Sequence, residues 1–161
     1  MIIGASAGMG GAAARAFAAR GAAVTITGRS KERPDQAAQR FGLPVLAAEL
    51  DATSRGALDA FFATTGTIDH LVMNASKGAV GVGPIAVLDE AGLRQAFDGK
   101  FFAYVKEIHA ALPQLRRDGS VTMVTAATAR AAFAGTAGIA AANGALETMV
   151  APSRWNLPRF G

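Results

Sequence analysis

Apolar and polar residues alternate in blocks along the chain, and the blocks predict a regular succession of strands and helices. Five short apolar runs predict β-strands: Met1–Ile3, Ala22–Thr27, Leu43–Ala47, Ile68–Met73 and Ser120–Thr125. The stretches between them predict helices: Met9–Arg20, Lys31–Phe41, Ser54–Phe62, Asp89–Leu112 and Ala131–Val150. Apolar strands joined by helical crossovers pair in parallel and are buried on both faces. The pattern therefore predicts an α/β fold with a doubly wound parallel sheet in three layers, α/β/α.

The composition is that of a globular domain. Of the 161 residues, 51% are hydrophobic and 17% are charged, and a chain of this length can bury a substantial core. Cysteine is absent, which excludes disulfides and thiolate metal ligands and favours a cytoplasmic location. The two histidines, His70 and His109, lack metal-ligand spacing, so no metal site is expected. No apolar stretch has membrane-spanning length, and the first residues do not form a signal peptide.

The net charge of +4 is spread along the chain. The only adjacent basic pair, Arg116 and Arg117, precedes Asp118 in a segment that the pattern places at the end of a helix. Cations are favourable at a helix C-terminus, and this is the role that we predict for the pair. A nucleic-acid surface would need a basic patch, so no nucleic-acid partner is expected.

The first strand leads into a glycine-rich turn and then into an alanine-rich helix. This order suits a dinucleotide pyrophosphate: Gly4 allows the tight turn, Gly8 lets the backbone approach the phosphates, and Gly10 allows close helix packing. The positive end of the helix would face the ligand. The alternative is a glycine turn in an ordinary α/β unit. The other expected loop contacts are Ser6, which would cap the helix or contact phosphate, with Ala7 and Met9.

The end of the second strand bears on the choice of cofactor. An acidic residue there pairs with the 2′-hydroxyl of NAD and repels the 2′-phosphate of NADP. This chain has no acid at that point, and Arg29, followed by Ser30, offers a planar donor group to a phosphate. NADP(H) is therefore expected rather than NAD(H), unless Arg29 is only a solvated loop residue. After the third strand, Asp51 with Ala52 is expected either to contact the adenine or to cap the next helix.

Four segments together resemble the short-chain dehydrogenase/reductase family. They are the loop from Gly4 to Gly10, the strand Ile68–Met73 with the following Asn74-Ala75-Ser76, the helix from Phe97 to Pro113, and the strand from Gly119 to Thr125. The resemblance runs from Met1 to about Pro152 and implies a Rossmann-like fold with about five of the usual seven strands. It also implies that Asn74, Ala75 and Ser76 contact the cofactor.

The family's catalytic positions hold different residues here. The family uses an Asn on its fourth helix, a Ser after its fifth strand and Tyr-x-x-x-Lys on its fifth helix. In this chain Lys100 stands in the Asn place, Ala126 in the Ser place, Ile139 in the Tyr place and Asn143 in the Lys place. Because isoleucine cannot transfer a proton, the family's standard mechanism cannot operate.

Lys100 and Asn143 occupy each other's family positions, as if the two residues had exchanged helices. The segment Phe97-Asp98-Gly99-Lys100-Phe101 resembles the FDxKF segment of a divergent branch of the family. We therefore expect Lys100 and Asn143 near the nicotinamide ribose, with Thr125 or Thr128 as a reacting hydroxyl. The alternative is a snorkelling surface lysine and a capping asparagine.

Tyr104, the only tyrosine, follows Lys100 by four residues and so shares its helical face. A reversed Lys-x-x-x-Tyr pair is a conceivable replacement acid. Aromatic residues on such a helix more often pack in the core or in a dimer, and that assignment is preferred. A homo-oligomer through the fourth and fifth helices is expected.

The last residues depart from the family's pattern. The segment Ser153–Gly161 contains the only tryptophan and lacks helical periodicity. One back-translation of it, with a single base added in front, encodes Leu-Ala-Val-Glu-Pro-Ala-Pro-Val-Arg, which resembles the family's usual continuation. We expect an NADP-binding domain at 1–152 and an atypical tail at 153–161, which is either frameshifted or native.

The chain is thus expected to be an NADP(H)-dependent oxidoreductase that transfers hydride between NADPH and a small carbonyl or alcohol substrate. The alternatives are a non-catalytic NADP(H)-binding or scaffold protein and a truncated, inactive fragment.

Overall fold

A computed structural model of the protein describes residues 1–75 and 81–156, with side chains as far as residue 150. The chain forms two compact units. The first unit comprises Met1–Ala75 and Lys106–Val124, and the second comprises Ser76–Val105 and Thr125–Gly161.

The first unit contains a five-stranded parallel sheet with the strand order β3-β2-β1-β4-β5. The strands are β1 (Ile2–Ile3), β2 (Val24–Gly28), β3 (Val45–Glu49), β4 (Ile68–Met73) and β5 (Leu115–Met123). The connecting helices are α1 (Gly8–Ala18), α2 (Glu32–Phe41) and α3 (Arg55–Thr65). Strand order reverses on either side of β1, the arrangement of a doubly wound sheet, so the predicted Rossmann-like α/β fold is confirmed.

Small residues let α1 lie close to the sheet. Ala14 and Ala18 of α1 are buried against Ile2, Val24 and Ile26. An alanine face loses little side-chain entropy on burial and leaves room for the branched strand residues. The close packing holds the start of α1 at the carboxyl end of β1, where the glycine turn lies.

The second unit is helical in its described part. It contains α4 (Glu90–Ala96), a π-helical turn (Phe97–Phe101), the start of α5 (Phe102–Ala111), a short 3₁₀ turn (Ala127–Ala129) and α6 (Ala137–Asn156). Helix α6 packs against α4, the π-helical turn and the 3₁₀ turn. The predicted fourth helix is thus α4 and α5 interrupted by a turn of wider pitch, and the predicted fifth helix is α6.

Two local predictions are wrong. Strand β5 begins at Leu115, so Arg116 and Arg117 lie in an edge strand and not at a helix end. Pairing with β4 extends the strand over these polar, solvent-exposed residues. Arg116 forms ion pairs with Asp118 and Asp69 there. Helix α6 begins at Ala137, six residues later than predicted, and extends through Asn156. The last residues of α6 belong to the predicted tail at 153–161. Residues 157–161 lie outside the described part.

Candidate functional site

The glycine turn after β1 brings three backbone segments into contact. Gly4 has φ +82, and a Cβ there would lie 2.6 Å from the backbone nitrogen of Ala75. A Cβ on Gly10 would lie 2.4 Å from the carbonyl oxygen of Gly4 and 2.8 Å from Nδ2 of Asn74. No real side chain fits at these distances, so glycine is required at both positions for steric reasons. The turn and its two glycines therefore lie where the sequence predicted.

Asn74 holds this turn in place. Its Nδ2 donates a hydrogen bond of 2.8 Å to the carbonyl oxygen of Gly4, and its backbone N–H donates to the carbonyl oxygen of Ile3 at 2.9 Å. The predicted residues Asn74 and Ala75 thus adjoin the glycine turn. Ser76, predicted with them, lies outside the described residues.

The N-terminus of α1 is exposed to solvent at Ala7, Gly8 and Met9. The N-cap residue is Ala7, which makes no side-chain capping hydrogen bond, so Ser6 does not cap the helix and that part of the prediction is wrong. Gly8 has φ +58, and nothing lies within 4 Å of the position that a Cβ would occupy. Orphan N–H groups and the helix dipole make such a terminus suitable for an anionic group. The cradle formed by Ala7, Gly8, Met9 and Gly10 fits a phosphate.

Arg40 supports the glycine turn from helix α2. Its Nη2 donates a hydrogen bond of 3.1 Å to the carbonyl oxygen of Ser6. This contact is not predictable from the sequence, because a basic residue in the last turn of a helix normally faces solvent and its own carbonyl groups. The only available signal was that α2 follows the strand next to the turn.

Arg29 and Ser30 follow β2 directly and are exposed. The preceding residue, Gly28, adjoins the glycine turn, since a Cβ there would lie 3.2 Å from Oγ of Ser6. Among the described residues, Arg29 has no hydrogen-bond or ion-pair partner. The guanidinium is therefore available to an anionic ligand close to the turn.

Asp51 organises the turn after β3. Its Oδ1 accepts hydrogen bonds from the backbone N–H of Thr53 at 3.0 Å and from the Thr53 hydroxyl at 2.7 Å. Helix α3 is capped instead by Ser54, whose Oγ accepts from the N–H of Ala57. The alternative that Asp51 caps this helix is therefore wrong, and Ala52 beside it is buried.

In the second unit, Lys100 is buried and lies in the π-helical turn. Its side chain is 7% exposed, so the alternative of a snorkelling surface lysine is wrong. Lys100 Nζ donates a hydrogen bond of 2.8 Å to the hydroxyl of Tyr104 and lies 4.3 Å from the centroid of its ring. Tyr104 is fully buried. The wide turn is closed by the hydrogen bond from the N–H of Phe102 to the carbonyl of Phe97, and such turns recur at functional sites.

Asn143 lies in the interior of α6 and is 1% exposed. Its Nδ2 donates to the carbonyl of Ile139 at 2.9 Å and to the hydroxyl oxygen of Thr128 at 3.3 Å, so it is not a capping residue. Its Oδ1 is buried without a hydrogen-bond partner among the described residues. A buried amide oxygen of this kind is costly unless a ligand or water donates to it, which marks Asn143 as a candidate ligand contact.

Thr125 and Arg130 converge on Glu147 of α6. The Thr125 hydroxyl donates to Oε1 at 2.8 Å, and Arg130 Nε donates to Oε2 at 2.6 Å. The Arg130 guanidinium, and then the Thr125 hydroxyl, hold the pKa of Glu147 below its ordinary value of 4.5. The single proton of Thr125 is therefore donated to a carboxylate, whereas Thr128 accepts from Asn143 and donates to no described group.

These features define a class of protein. Three features of the first unit are typical of a dinucleotide-binding α/β protein. They are the parallel doubly wound sheet, the glycine turn that opens a helix at the carboxyl end of β1, and the exposed basic residue after β2. The family model described as short chain dehydrogenase matches residues 1–158. The chain belongs to the short-chain dehydrogenase/reductase family.

Relatives and solved structures agree with this assignment. The chain is 30% identical over 138 residues to 11-beta-hydroxysteroid dehydrogenase 1A of Arabidopsis thaliana. The aligned residues cover 80% of this chain and 39% of the relative. The chain thus spans well under half the length of this relative. Among solved structures, a short-chain dehydrogenase from Streptomyces avermitilis is 32% identical, with a TM-score of 0.82, over 94% of this chain and 58% of the other. The closed form of serine dehydrogenase complexed with NADP⁺ is 26% identical, with a TM-score of 0.85, over 99% of this chain and 67% of the other.

None of the helices in the described part of the chain combines the length and apolar character that a membrane span requires.

Proposed function

We propose that the protein binds NADP(H) and transfers hydride between NADPH and a small carbonyl or alcohol substrate. The observation that carries the proposal is Arg29, an exposed guanidinium that follows β2 where an NAD-binding protein places an acid. Gly28, the residue before it, adjoins the glycine turn. A serine dehydrogenase of similar fold has been solved with NADP⁺, which supports this choice of cofactor.

The turn and the uncapped start of α1 are proposed to hold the pyrophosphate. The backbone of Ala7, Gly8, Met9 and Gly10 would supply the donors, with Gly4 allowing the turn and Ser6 beside it. Arg29 and Ser30 would hold the 2′-phosphate, Asp51 and Ala52 would border the adenine, and Asn74, Ala75 and Ser76 would continue the cofactor contacts.

Lys100 and Asn143 are proposed to bind the nicotinamide ribose and to provide the electrostatic environment of the reaction. When bound, the cofactor supplies the hydride. Lys100 is a buried cation, and Asn143 has a buried amide oxygen that requires a donor, a combination that suits a ribose hydroxyl. A threonine hydroxyl is proposed to orient the substrate oxygen. Thr125 and Thr128 are both candidates, and the hydrogen bond from Thr125 to Glu147 favours Thr128.

A second copy of the chain is proposed to cover part of the predicted fourth helix. An open groove of about 370 Å³ is lined by Leu93, Phe97 and Phe102 together with Glu90, Arg94 and Asp98. Phe102 is 45% exposed there, and mixed apolar and charged linings are typical of subunit contacts. Sedimentation of the native chain and of Phe102→Asp checks this, and a monomeric native chain would contradict it.

Fluorescence titration of the purified chain with NADPH and NADH tests the cofactor proposal. We expect NADPH to bind more tightly, and failure of both cofactors to bind would leave an inactive fragment as the remaining explanation. Hydride transfer is then assayed over a panel of carbonyl compounds. Tight NADPH binding without turnover on any of them would favour the non-catalytic binding or scaffold protein.

Lys100→Ala tests the assignment of the reacting groups. We expect weaker NADPH binding and lower turnover, because the variant removes the buried cation. Lys106→Ala, on the same helix, is the control and should leave both unchanged. If Lys100→Ala matches the native protein in NADPH affinity and turnover, the role assigned to Lys100 is wrong.

A further inference from the structure

Lys100 and Tyr104 form a buried pair at the junction of the π-helical turn and α5. The ammonium is held by two contacts of different kinds, a hydrogen bond of 2.8 Å to the hydroxyl and an approach of 4.3 Å to the ring. Both contacts come from one side chain, so the orientation of Tyr104 restrains the position of Nζ. A lysine has long, flexible side-chain torsions, and such support reduces its freedom.

Lys100 and Tyr104 are the buried ionisable residues in the described part of the second unit. Asp98 is exposed, and Glu147 on the packed helix α6 is engaged by Arg130. Asn143, also on α6, is uncharged. Glu107, three residues after Tyr104 on α5, belongs to the first unit and is a buried carboxyl group. The second unit thus keeps an ammonium and a phenol in a low-dielectric setting, where electrostatic effects are strongest.

We propose that Lys100 is the proton donor of the reaction and that Tyr104 is the positioning residue that holds its ammonium. The inference rests on the proposed function. Ile139 stands where the family has its acid, and Lys100 is the less buried member of the pair, at 7% exposure against none for Tyr104. Lys100 is therefore the member of the pair that retains a solvent-accessible surface for a substrate to approach.

In reduction, a hydride forms a C–H bond at the carbonyl carbon while the C=O π electrons move to the oxygen. The Lys100 Nζ–H bond breaks, its proton joins that oxygen, and an alcohol and a neutral amine result. NADPH, the co-reactant of the proposed function, is oxidised to NADP⁺. Solvent returns the proton to the amine between turnovers.

The uniqueness of Tyr104 allows the pair to be tested without turnover. Tyr104 is the only tyrosine of the chain, so near-ultraviolet tyrosinate absorbance reports on it alone. In native protein, tyrosinate should form at lower pH than in Lys100→Met, because the ammonium stabilises the phenolate. Lys106→Met is the matched control on the same helix and should titrate like the native chain. Equal titration of all three proteins would overturn the pairing. If Lys100→Met does not fold, Lys100→Gln takes its place, because it also removes the charge, and it should form tyrosinate at higher pH than the native chain.

Kinetics test the role in proton transfer. General acid catalysis contributes about 10²- to 10⁴-fold, so Lys100→Arg, which retains charge but does not release a proton, should lower kcat by at least about 10²-fold. Tyr104→Phe keeps the ring and removes the hydroxyl. It should lower kcat about tenfold and shift the pH profile of kcat. Native turnover in Lys100→Arg, or a native pH profile in Tyr104→Phe, would overturn the proposal. Failure of the native protein to bind NADPH would instead overturn the proposed function, and the tyrosinate titration still decides whether the pair exists.

Discussion

The side-chain nitrogen of Asn74 donates a hydrogen bond of 2.8 Å to the carbonyl oxygen of Gly4, across 70 residues of sequence. The bond joins the end of β4 to the turn after β1. Gly10 of α1 completes the contact, because a Cβ there would collide with both partners. The shape of the glycine turn therefore depends on a residue from another strand as well as on its own glycines.

Replacing Asn74 should loosen this turn. Asn74→Leu keeps the approximate size but leaves the Gly4 carbonyl without its donor, so we expect the free energy of unfolding to fall by about 1–3 kcal/mol. NADPH affinity should fall as well. Denaturant unfolding and fluorescence titration measure the two effects. Gln39→Leu, an exposed amide change on α2, should alter the unfolding free energy by no more than about 0.5 kcal/mol. Equal stability of the two variants would contradict the role of Asn74.

Gly8→Ala should separate cofactor binding from folding. The added Cβ meets no protein atom, so the cost is the left-handed backbone conformation, about 1–2 kcal/mol. The methyl group would project into the open space above the cradle and weaken NADPH binding beyond the loss of stability. Gly56→Ala in α3 is the control: it also meets no atom and should raise stability by about 0.5–1 kcal/mol. Unchanged NADPH affinity in folded Gly8→Ala would place the pyrophosphate elsewhere.

Arg29→Asp should reverse the preference for NADPH over NADH. A hydrogen bond to a charged group contributes about 1.5–3 kcal/mol, so NADPH should bind about ten- to a hundredfold more weakly. NADH should bind as well as before or better, because the new carboxylate can accept from the ribose hydroxyl. Arg20→Asp, two residues beyond the end of α1, makes the same charge change away from the turn and serves as the control. Parallel losses for both variants would indicate a general charge effect.

The Glu147 network should contribute to stability in a pH-dependent way. Arg130 and Thr125 lower the pKa of this carboxyl in the folded protein, so the folded state binds its proton less readily than the unfolded state. The stabilisation is therefore complete above the ordinary value of 4.5 and is lost as the pH falls through the lower folded value. Glu147→Gln should lose stability at neutral pH and converge with the native protein in acid. Unfolding free energies of both proteins across this range provide the measurement. A constant difference at every pH would show that Glu147 acts only through packing.

The sequence alone predicted the sheet and the glycine turn, and the cofactor contacts of the residues around the turn stay predictions. These features depend on residues that are close together in the sequence. They include the periods of strands and helices, the positions of glycines and the absence of an acid after β2. The ends of β5 and α6 were not predictable in this way. Strand pairing to β4 outweighed the polar character of Arg116 and Arg117, and the start of α6 depends on what packs against it.

The sequence by itself determined which residue types stand at each family position, including Lys100, Asn143 and Ile139. Only the tertiary structure decided what surrounds them. The four-residue spacing of Lys100 and Tyr104 predicts that they share one helical face. The hydrogen bond between them is visible only in the folded structure, where both residues are buried and Lys100 lies in a turn of wider pitch. Asn74 reached Gly4 only through the order of strands in the sheet. The physical reason is that periodicity depends on neighbours in the chain, whereas burial and hydrogen-bond partners depend on residues that folding brings together.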